Sequence, residues 1–243
     1  MRSGRTLPRS SSVGSAYQGT GSSSLDVSCN WSDNLVDLTL AQANRKAPLD
    51  VPFFILASAS PRRQLLLTQA GYCFEVDPSD VDEPEPPPGT TVFDYVTQLA
   101  WKKARAVAVR RGIGLILAAD TSCSVEGQIL NKPADRDDAE RMIRLQEGRD
   151  TEVVTGICLY RADRHDWAGA TEVSLVRFRA LGDDERTEYL NSDRWEGKAG
   201  AYGLQDDDPW ITVVSGTWSN VVGLPMDRLE RLFRDHPGLT TGP

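Results

Sequence analysis

The chain has 243 residues, 40% of them hydrophobic and 26% charged, which is typical of a globular protein with a sizeable core. Its 35 acidic and 27 basic residues give a formal net charge of −8, which disfavours non-specific binding to nucleic-acid polymers. The apolar runs are far shorter than the roughly 20 residues of a membrane helix, so no membrane partner is expected. Two histidines and four scattered cysteines argue against a histidine-based triad, a zinc site and a disulfide framework, and indicate a reducing cytoplasm.

The first 50 residues differ in composition from the rest of the chain. Residues 1–24 contain eight serines, four glycines and almost no large apolar side chain, so they cannot bury enough surface to offset ordering entropy. We therefore expect residues 1–50 to be a disordered extension and residues 51–243 to be the folded domain. Three arginines near the start suggest a targeting peptide, but no apolar region follows them, and a loose extension is the better interpretation. A short helix near Leu35–Ala43 is expected, without evident function.

The folded domain is predicted to begin with a buried parallel strand at residues 53–57. Ser60 is a suitable N-cap and Pro61 a suitable first residue for a helix that ends near Gly71. The elements predicted next are a strand at Phe74–Val76, an acidic proline-rich loop at Pro78–Pro88, a helix from about Val92 to Arg110, and a second buried strand, Leu115–Ala119, ending at Asp120-Thr121.

The second half of the chain continues to alternate between strand and helix patterns. It is predicted to contain a hairpin around Glu126-Gly127, a helix capped by Asp135 and running to about Gln146, paired strands at Glu152–Tyr160 and Glu172–Arg179, a helix at Asp183–Leu190, strands at Ile211–Val214 and Val221–Val222, and a closing helix at Met226–Asp235. This alternation predicts an α/β fold.

The segment Ser58-Ala59-Ser60-Pro61-Arg62-Arg63 joins the first strand to the first helix. The free N–H groups and positive dipole end of a helix N-terminus bind anions. Arg62 and Arg63 add two planar cationic side chains suited to phosphate. The alternative is a capped helix with two solvated arginines, which this segment alone does not exclude.

Carboxylates supply the second signal. In open α/β sheets ligands lie outside the carboxyl ends of the strands, where Asp120 is expected and where a carboxylate can hold a metal or orient water. One or two carboxylates of the acidic segment 80–85 could complete a Mg²⁺ site with Asp120. The alternatives are a turn-capping aspartate and a solvated loop.

Two further segments carry weaker signals. Lys102-Lys103 on a helix and Lys132-Pro133 after the hairpin could bind phosphate, although most lysines are simply surface residues. The small residues of Lys198–Gln205 allow close approach of backbone to a ligand, and the Gln205 amide can bind a base edge with a donor and an acceptor. A tight structural loop is the alternative for this segment.

Together these segments resemble the Maf family of nucleotide pyrophosphatases over about residues 53–235. The matching motifs are Ser58–Leu66, Leu99-Ala100 with Lys103-Ala104, Ala119–Thr121, Lys132-Pro133, Val154–Gly156, Lys198–Gln205 and Asn220–Pro225. The resemblance implies a mixed twisted sheet with flanking helices, in two lobes around a nucleotide-binding cleft. It also implies a homodimer and hydrolysis of nucleoside triphosphates to monophosphate and pyrophosphate.

The resemblance also implies roles for individual residues. Asp120 aligns with the proton acceptor and Glu83 with a second functional carboxylate, and both would hold a divalent cation, Mg²⁺ or Mn²⁺. The residues aligned with substrate binding are Ser58, Ser60, Arg62, Arg63, Lys103, Lys132, Thr121 and Gln205. Among these, Arg62, Thr121 and Gln205 align with positions linked to base choice.

The form of the Lys198–Gln205 motif resembles the branch that acts on dTTP and UTP, with clearance of non-standard nucleotides as a further expectation. Two alternatives stay open: a pyrophosphatase for modified or methylated nucleotides, and a regulator of cell division that binds a triphosphate without hydrolysing it. Two departures from the family pattern bear on specificity. Thr151 stands where a histidine is frequent, and Asp206-Asp207-Asp208 follow the glutamine where a glycine is usual.

Overall fold

The computed structural model describes residues 51–203 and 210–241. The expectations for residues 1–50, and those for Gln205 and Asp206–Asp208, therefore lie outside the described residues. Within the described ranges, no helix combines the length and the apolar character required to cross a bilayer.

Strands and helices alternate through the described chain. The strands are β1 (Phe54–Leu56), β2 (Phe74–Val76), β3 (Leu115–Val125), β4 (Gln128–Leu130), β5 (Asp150–Arg161), β6 (Asp166–Phe178) and β7 (Ile211–Ser215). The helices are α1 (Pro61–Gln69), α2 (Val92–Arg111), α3 (Arg136–Gln146), α4 (Asp183–Asn191), α5 (Trp218–Val222), α6 (Met226–Asp235) and α7 (Pro237–Thr240), with a short 3₁₀ turn at Ala199–Ala201.

The strands form one mixed sheet in the order β2-β1-β3-β5-β6-β7, with β4 paired to β3. β1 runs parallel to β2 and β3, whereas β3, β5, β6 and β7 pair antiparallel. The predicted α/β class, with a mixed sheet flanked by helices, is confirmed. Two parts of the architecture are thus joined at β3, which is parallel to one neighbour and antiparallel to the other.

The two faces of β3 pack against different helices because successive side chains alternate across a sheet. Leu115, Leu117 and Ala119 join a cluster with side chains of α1 and α6. Ile116 and Ala118 face α2 and pack with its small and branched side chains. Beyond these positions, Cys123 and Val125 join a third cluster with α3 and α4, so one sheet supports separate cores along its length.

The edge of β3 is open between β1 and β4. β1 pairs with β3 as far as Leu117, and β4 pairs with it from Cys123 onward. The intervening residues, 118–122, have no strand on this side among the described residues. This opening lies where the parallel strand β1 ends, which is the place where ligands bind in α/β sheets.

Three sequence-based expectations are corrected by the structure. β3 does not end at Asp120 but continues to Val125, because residues 121–124 keep pairing with β5 as far as Glu152. Asp120 is therefore an interior strand residue. β5 and β6 are joined by a short turn at 162–165 rather than by a polar segment reaching Gly169.

The third correction concerns Val221-Val222, which are predicted as a strand but lie in helix α5. The Thr217 side chain accepts a hydrogen bond from the Asn220 N–H at the start of this helix. Gly223, with a φ of 116°, ends it in the left-handed conformation. These two caps outweigh the strand preference of the two valines. The predicted helix Met226–Asp235 is confirmed as α6.

Gly156 allows α2 to approach the sheet closely. A Cβ at this position would lie 2.7 Å from the Val96 carbonyl oxygen and 3.0 Å from the Thr97 amide nitrogen, both in the backbone of α2. Gly156 also pairs with Asp120 in the β3–β5 register, so this contact fixes the distance between α2 and the strand that carries Asp120.

We expect Gly156→Ala to lower the free energy of unfolding by about 1–3 kcal/mol, because the added methyl group must displace helix backbone. Urea denaturation would measure the change. Gly238→Ala is the matched control, because a Cβ there meets nothing within 4 Å, and its stability should be unchanged or slightly higher. Equal stability of the Gly156→Ala variant and the parent would contradict the close-packing argument.

Candidate active site

A cavity of about 820 Å³ opens at the gap in the edge of β3. Nine of the ten residues predicted for the site line it, namely Ser58, Ser60, Arg62, Arg63, Glu83, Lys103, Asp120, Thr121 and Lys132. The tenth, Gln205, lies outside the described residues. Segments far apart in the chain thus meet in one pocket, as the sequence motifs predict.

The centre of the pocket is a charged cluster around Lys103. Its ammonium group donates to Glu83 Oε1 and to Asp120 Oδ1, each at 2.6 Å. Lys132 Nζ donates to the other oxygen of Glu83, Oε2, also at 2.6 Å. The side chains of Lys103 and Asp120 are 8% and 7% exposed, so this pair is shielded from solvent. Two carboxylates and two ammonium groups therefore form one continuous network.

The fold explains how these groups meet. Asp120 lies on the face of β3 that packs against α2, because it alternates with Ala118 on that face. Lys103 is buried on α2, while its neighbour Lys102 is exposed, so only one of the two predicted lysines faces the site. Glu83 belongs to the acidic loop after β2, and Lys132 follows β4.

The electrostatics of the cluster keep Glu83 ionised. Burial by itself would raise the pKa of the Glu83 carboxyl, but the charges and hydrogen bonds of Lys103 and Lys132 outweigh it and lower the pKa to about 2. Burial, together with the charges of Asp120 and Glu83, raises the pKa of the nearby Tyr95 to about 12. The carboxylate is thus an acceptor and the phenol a hydrogen-bond donor throughout the neutral range.

Arg63 binds three segments of the pocket wall. Its Nε donates to the Gly223 carbonyl at 2.8 Å, Nη1 to Ser58 Oγ at 3.0 Å and Nη2 to Thr121 Oγ1 at 3.2 Å. Burial lowers the pKa of the Arg63 guanidinium, and Asp120 opposes that effect. Each terminal nitrogen retains a second N–H, so Arg63 can orient Ser58 and Thr121 and still present charge to an anion.

The N-terminus of α1 forms another part of the wall. The Ser60 side chain makes no capping hydrogen bond, and the Ser60 N–H donates to Ser58 Oγ at 3.3 Å. Pro61 is the first helical residue. The first turn of α1 therefore lacks the usual side-chain cap, and its positive dipole end lies in the pocket wall with Arg62 and Arg63.

The segment from Lys198 to Gly203 closes the other side. Gly200, with a φ of 70°, donates its N–H to the Asn131 carbonyl at 3.1 Å, and its own carbonyl accepts from Gln146 Nε2 at 2.6 Å. The following Tyr202 stacks on Trp210, with ring centroids 5.0 Å apart. A buried amide and an aromatic cluster thus hold this segment.

Sequence reasoning missed several polar residues of the pocket, including Tyr95, Asn131, Gln146 and Ser122. One signal was available for Gln146, which continues the apolar face of α3 formed by Ala139, Met142 and Ile143. A polar residue at such a position requires a buried partner. Thr151, which stands where the family frequently has a histidine, is fully buried in β5 and does not line the pocket.

The carboxylates fit a divalent cation. The carboxylates of Asp120 and Glu83 both accept hydrogen bonds from the Lys103 ammonium, so their oxygens lie close enough together to contact one cation. Mg²⁺ usually takes one or two carboxylates and completes its shell with waters and substrate phosphates. No cluster of three or more candidate metal ligands occurs in the described part of the chain.

The sheet and the pocket together define an α/β protein that combines a cationic pocket wall with a pair of carboxylates. The chain belongs to the Maf family, since the family model described as Maf-like protein matches residues 53–236. Pyrophosphatases of this family generally require a divalent metal ion.

Curated relatives agree with this assignment. A dTTP/UTP pyrophosphatase from Rhodopirellula baltica is 47% identical over 185 residues, covering 74% of this chain and 81% of the relative. The dTTP/UTP pyrophosphatase of Ruminiclostridium cellulolyticum is 40% identical over 180 residues, covering 74% and 93% respectively. A solved nucleoside-triphosphatase / dITP/XTP pyrophosphatase from Mycobacterium abscessus is only weakly similar, with 15% identity, a TM-score of 0.39 and coverage of 79% of this chain and 100% of that one.

The pKa of Glu83 makes part of the stability depend on pH. Because the folded-state pKa of about 2 lies below the ordinary 4.5, the carboxylate stabilises the fold above pH 4.5, and this contribution is lost as the pH falls towards 2. We expect the free energy of unfolding of the parent to exceed that of Glu83→Gln by about 2 kcal/mol at neutral pH. This difference should shrink on acidification.

Urea denaturation from neutral pH to the acid limit of folding would measure this difference. Glu75→Gln is the control, because Glu75 is an exposed carboxylate paired with Arg111 at 2.6 Å and should contribute little at any pH. A difference between the parent and Glu83→Gln that stays constant with pH would contradict the predicted titration.

Proposed function

We propose that this protein hydrolyses dTTP and UTP at the α-phosphate, releasing the nucleoside monophosphate and pyrophosphate. The observation that carries the proposal is the Lys103 ammonium bound by both Glu83 and Asp120 in a pocket that is also lined by Arg62, Arg63 and the start of α1. Membership of the Maf family and the names of the curated relatives support the substrate class.

The proposed reaction is an in-line displacement by water. The oxygen of water attacks the α-phosphorus while the bond from that phosphorus to the bridging oxygen of the β-phosphate breaks. Asp120 accepts the proton of the attacking water, and the electron pair of the broken bond leaves with pyrophosphate. Such transfers depend on positioning and charge neutralisation more than on covalent catalysis, which agrees with a pocket that is lined by no histidine among the described residues.

The cationic side chains stabilise the leaving group in this proposal. Arg62, Arg63, Lys103 and Lys132 bind the β- and γ-phosphates together with the N-terminus of α1. The ammonium groups of Lys103 and Lys132 can exchange part of their present contacts with Glu83 and Asp120 for phosphate oxygens. Asp120 and Glu83 would hold the divalent cation, for which Mg²⁺ is proposed, and the cation would neutralise part of the triphosphate charge.

The choice of base is assigned to Arg62, Thr121 and Gln205. Thr121 is held by Arg63 and by the Thr155 hydroxyl, whose oxygen lies 2.9 Å from Thr121 Oγ1. We propose that the enzyme acts on free nucleotides in the cytoplasm. The homodimer and the disordered extension remain predictions.

Asp120→Asn should abolish hydrolysis while retaining most triphosphate binding, because it removes the proton acceptor but leaves the cationic wall. The assay is a panel of canonical and modified triphosphates with Mg²⁺, in which pyrophosphate and monophosphate are scored separately from orthophosphate. Circular dichroism and a nucleotide-binding titration would establish that the variant is folded.

The outcomes of this panel separate the candidate functions. Release of pyrophosphate from dTTP and UTP, lost in Asp120→Asn, would support the proposal. Turnover confined to modified nucleotides would favour the alternative substrate class, and saturable binding without turnover would favour a regulator. Near-normal turnover by Asp120→Asn would show that Asp120 is not the proton acceptor.

Gln205→Ala should reduce discrimination between bases by about 1–3 kcal/mol, because the amide no longer binds the base edge. Ratios of kcat/KM for dTTP, UTP and purine triphosphates would measure the change. Gln64→Ala is a control, because the Gln64 amide donates to the Ala59 carbonyl on an exposed part of α1. An unchanged ratio for Gln205→Ala would remove this residue from the specificity set.

A further inference from the structure

Tyr95 lies at the junction of the pocket loops but has no role in the function proposed above. Its hydroxyl donates to the Pro84 carbonyl at 2.9 Å and accepts from Asn131 Nδ2 at 3.2 Å. Asn131 Oδ1 in turn accepts from the Ser122 hydroxyl at 3.2 Å. One phenolic oxygen therefore connects the acidic loop, the residue after β4 and the interior of β3.

The groups that this network binds are next to the charged residues of the site in the chain. Pro84 follows Glu83 directly, Asn131 precedes Lys132 directly, and Ser122 lies two residues after Asp120. Glu83 and Lys132 are themselves paired at 2.6 Å. A displacement of either loop would therefore move a charged group away from the Lys103–Asp120 pair.

The acidic loop depends on contacts of this kind because residues 79–86 form no helix or strand. Among the contacts described for this segment, the Pro84 carbonyl is the point at which its backbone bonds to α2. The Tyr95 ring is anchored independently, since it is buried with Val92, Val96 and Leu99 in a cluster under the loop. A rigid helix thus provides a fixed hydroxyl to a segment without regular structure.

We propose that Tyr95 is a positioning residue, whose hydroxyl holds Glu83, and the Lys132 ammonium paired with it, against the Lys103–Asp120 pair in the arrangement required for turnover. This inference rests on the proposed function of the pocket. It assigns Tyr95 no contact with the reacting atoms. Its effect on the reaction is transmitted through the Pro84 carbonyl and the Asn131 amide.

The variant that tests the proposal is Tyr95→Phe, because it removes the hydroxyl and preserves the buried ring. We expect kcat for dTTP in the presence of Mg²⁺ to fall by about 10- to 100-fold, since displacement of a catalytic group by an ångström has effects of that size. KM should change less than kcat, because the network reaches Lys132 among the proposed phosphate-binding residues, whereas Arg62, Arg63 and the α1 N-terminus are not part of it.

Tyr72→Phe is the matched control. Tyr72 is also a buried tyrosine, and its hydroxyl has no hydrogen-bond partner in the described part of the chain. It lies in the cluster with Phe54 and Phe233, outside the pocket lining. Tyr72→Phe should therefore retain the kcat of the parent, and a comparable loss in both variants would overturn a specific role for Tyr95.

A double-mutant cycle with Glu83→Gln tests whether Tyr95 acts through Glu83. Single-turnover rates at high enzyme concentration keep slow variants measurable. If the proposal holds, Tyr95→Phe lowers the rate strongly in the parent and by less than about threefold in Glu83→Gln. Equal fold-losses in the two backgrounds would show that the hydroxyl acts independently of Glu83 and would overturn the proposal.

The same double-mutant cycle, measured as the midpoints of urea unfolding, separates this inference from the proposed function. Tyr95→Phe should lower the midpoint less in Glu83→Gln than in the parent, whether or not any nucleotide is hydrolysed. An inactive parent with this coupling would contradict the proposed function but support the positioning contact. An active parent with unchanged kcat in Tyr95→Phe would overturn the inference and leave the proposed function intact.

Discussion

The buried Lys103 ammonium and the two carboxylates that bind it are the interaction on which the rest of the site depends. The Lys103 side chain is 8% exposed, and a buried ammonium is strongly destabilising unless it is paired; here Asp120 and Glu83 each accept from it at 2.6 Å. The pairing requires α2 to lie close to β3 and β5. Gly156 provides that distance, because its missing side chain leaves room for the helix backbone. Packing of helix against sheet therefore sets the geometry of the charged cluster directly.

The charge balance of this cluster explains why the remaining cations of the pocket are distributed around it. Glu83 and Asp120 are compensated by Lys103 and Lys132, so the formal charges of the four groups sum to zero. A triphosphate brings several negative charges into this neutral cluster. In the proposed function, the compensating charge would come from Arg62, Arg63, the N-terminus of α1 and a divalent cation held by the two carboxylates. The protein as a whole has a formal net charge of −8, whereas the described lining of the pocket contains five basic and four acidic residues.

Local patterns predict much of this fold, and long-range contacts account for what they miss. The cap and the terminal glycine of α2 fix its ends, because Thr91 accepts from the Asp94 N–H and Gly112 adopts a φ of 70°. The motifs likewise indicate nine residues that meet in the pocket. The interior position of Asp120 was missed because it depends on pairing with β5, more than 30 residues away. Tyr95 and Asn131 were missed because a tyrosine on an apolar helix face and an asparagine after a hairpin acquire a role only when the acidic loop reaches them.

The pocket contains two supporting frameworks that share few residues. The charged cluster depends on α2, the acidic loop and the network through Tyr95. The segment 198–203 depends instead on Gln146, which binds the Gly200 carbonyl, and on the rings of Tyr202, Tyr189 and Trp210 behind it. A Cβ on Gly200 would come within 3.1 Å of the Gln146 amide oxygen, so the segment is also fixed by close packing. Asn131 connects the frameworks, since its carbonyl accepts from the Gly200 N–H while its side chain bonds to Tyr95. Asn131 is therefore a residue through which a change in the segment 198–203 reaches the Lys103 cluster, because both frameworks bond to it.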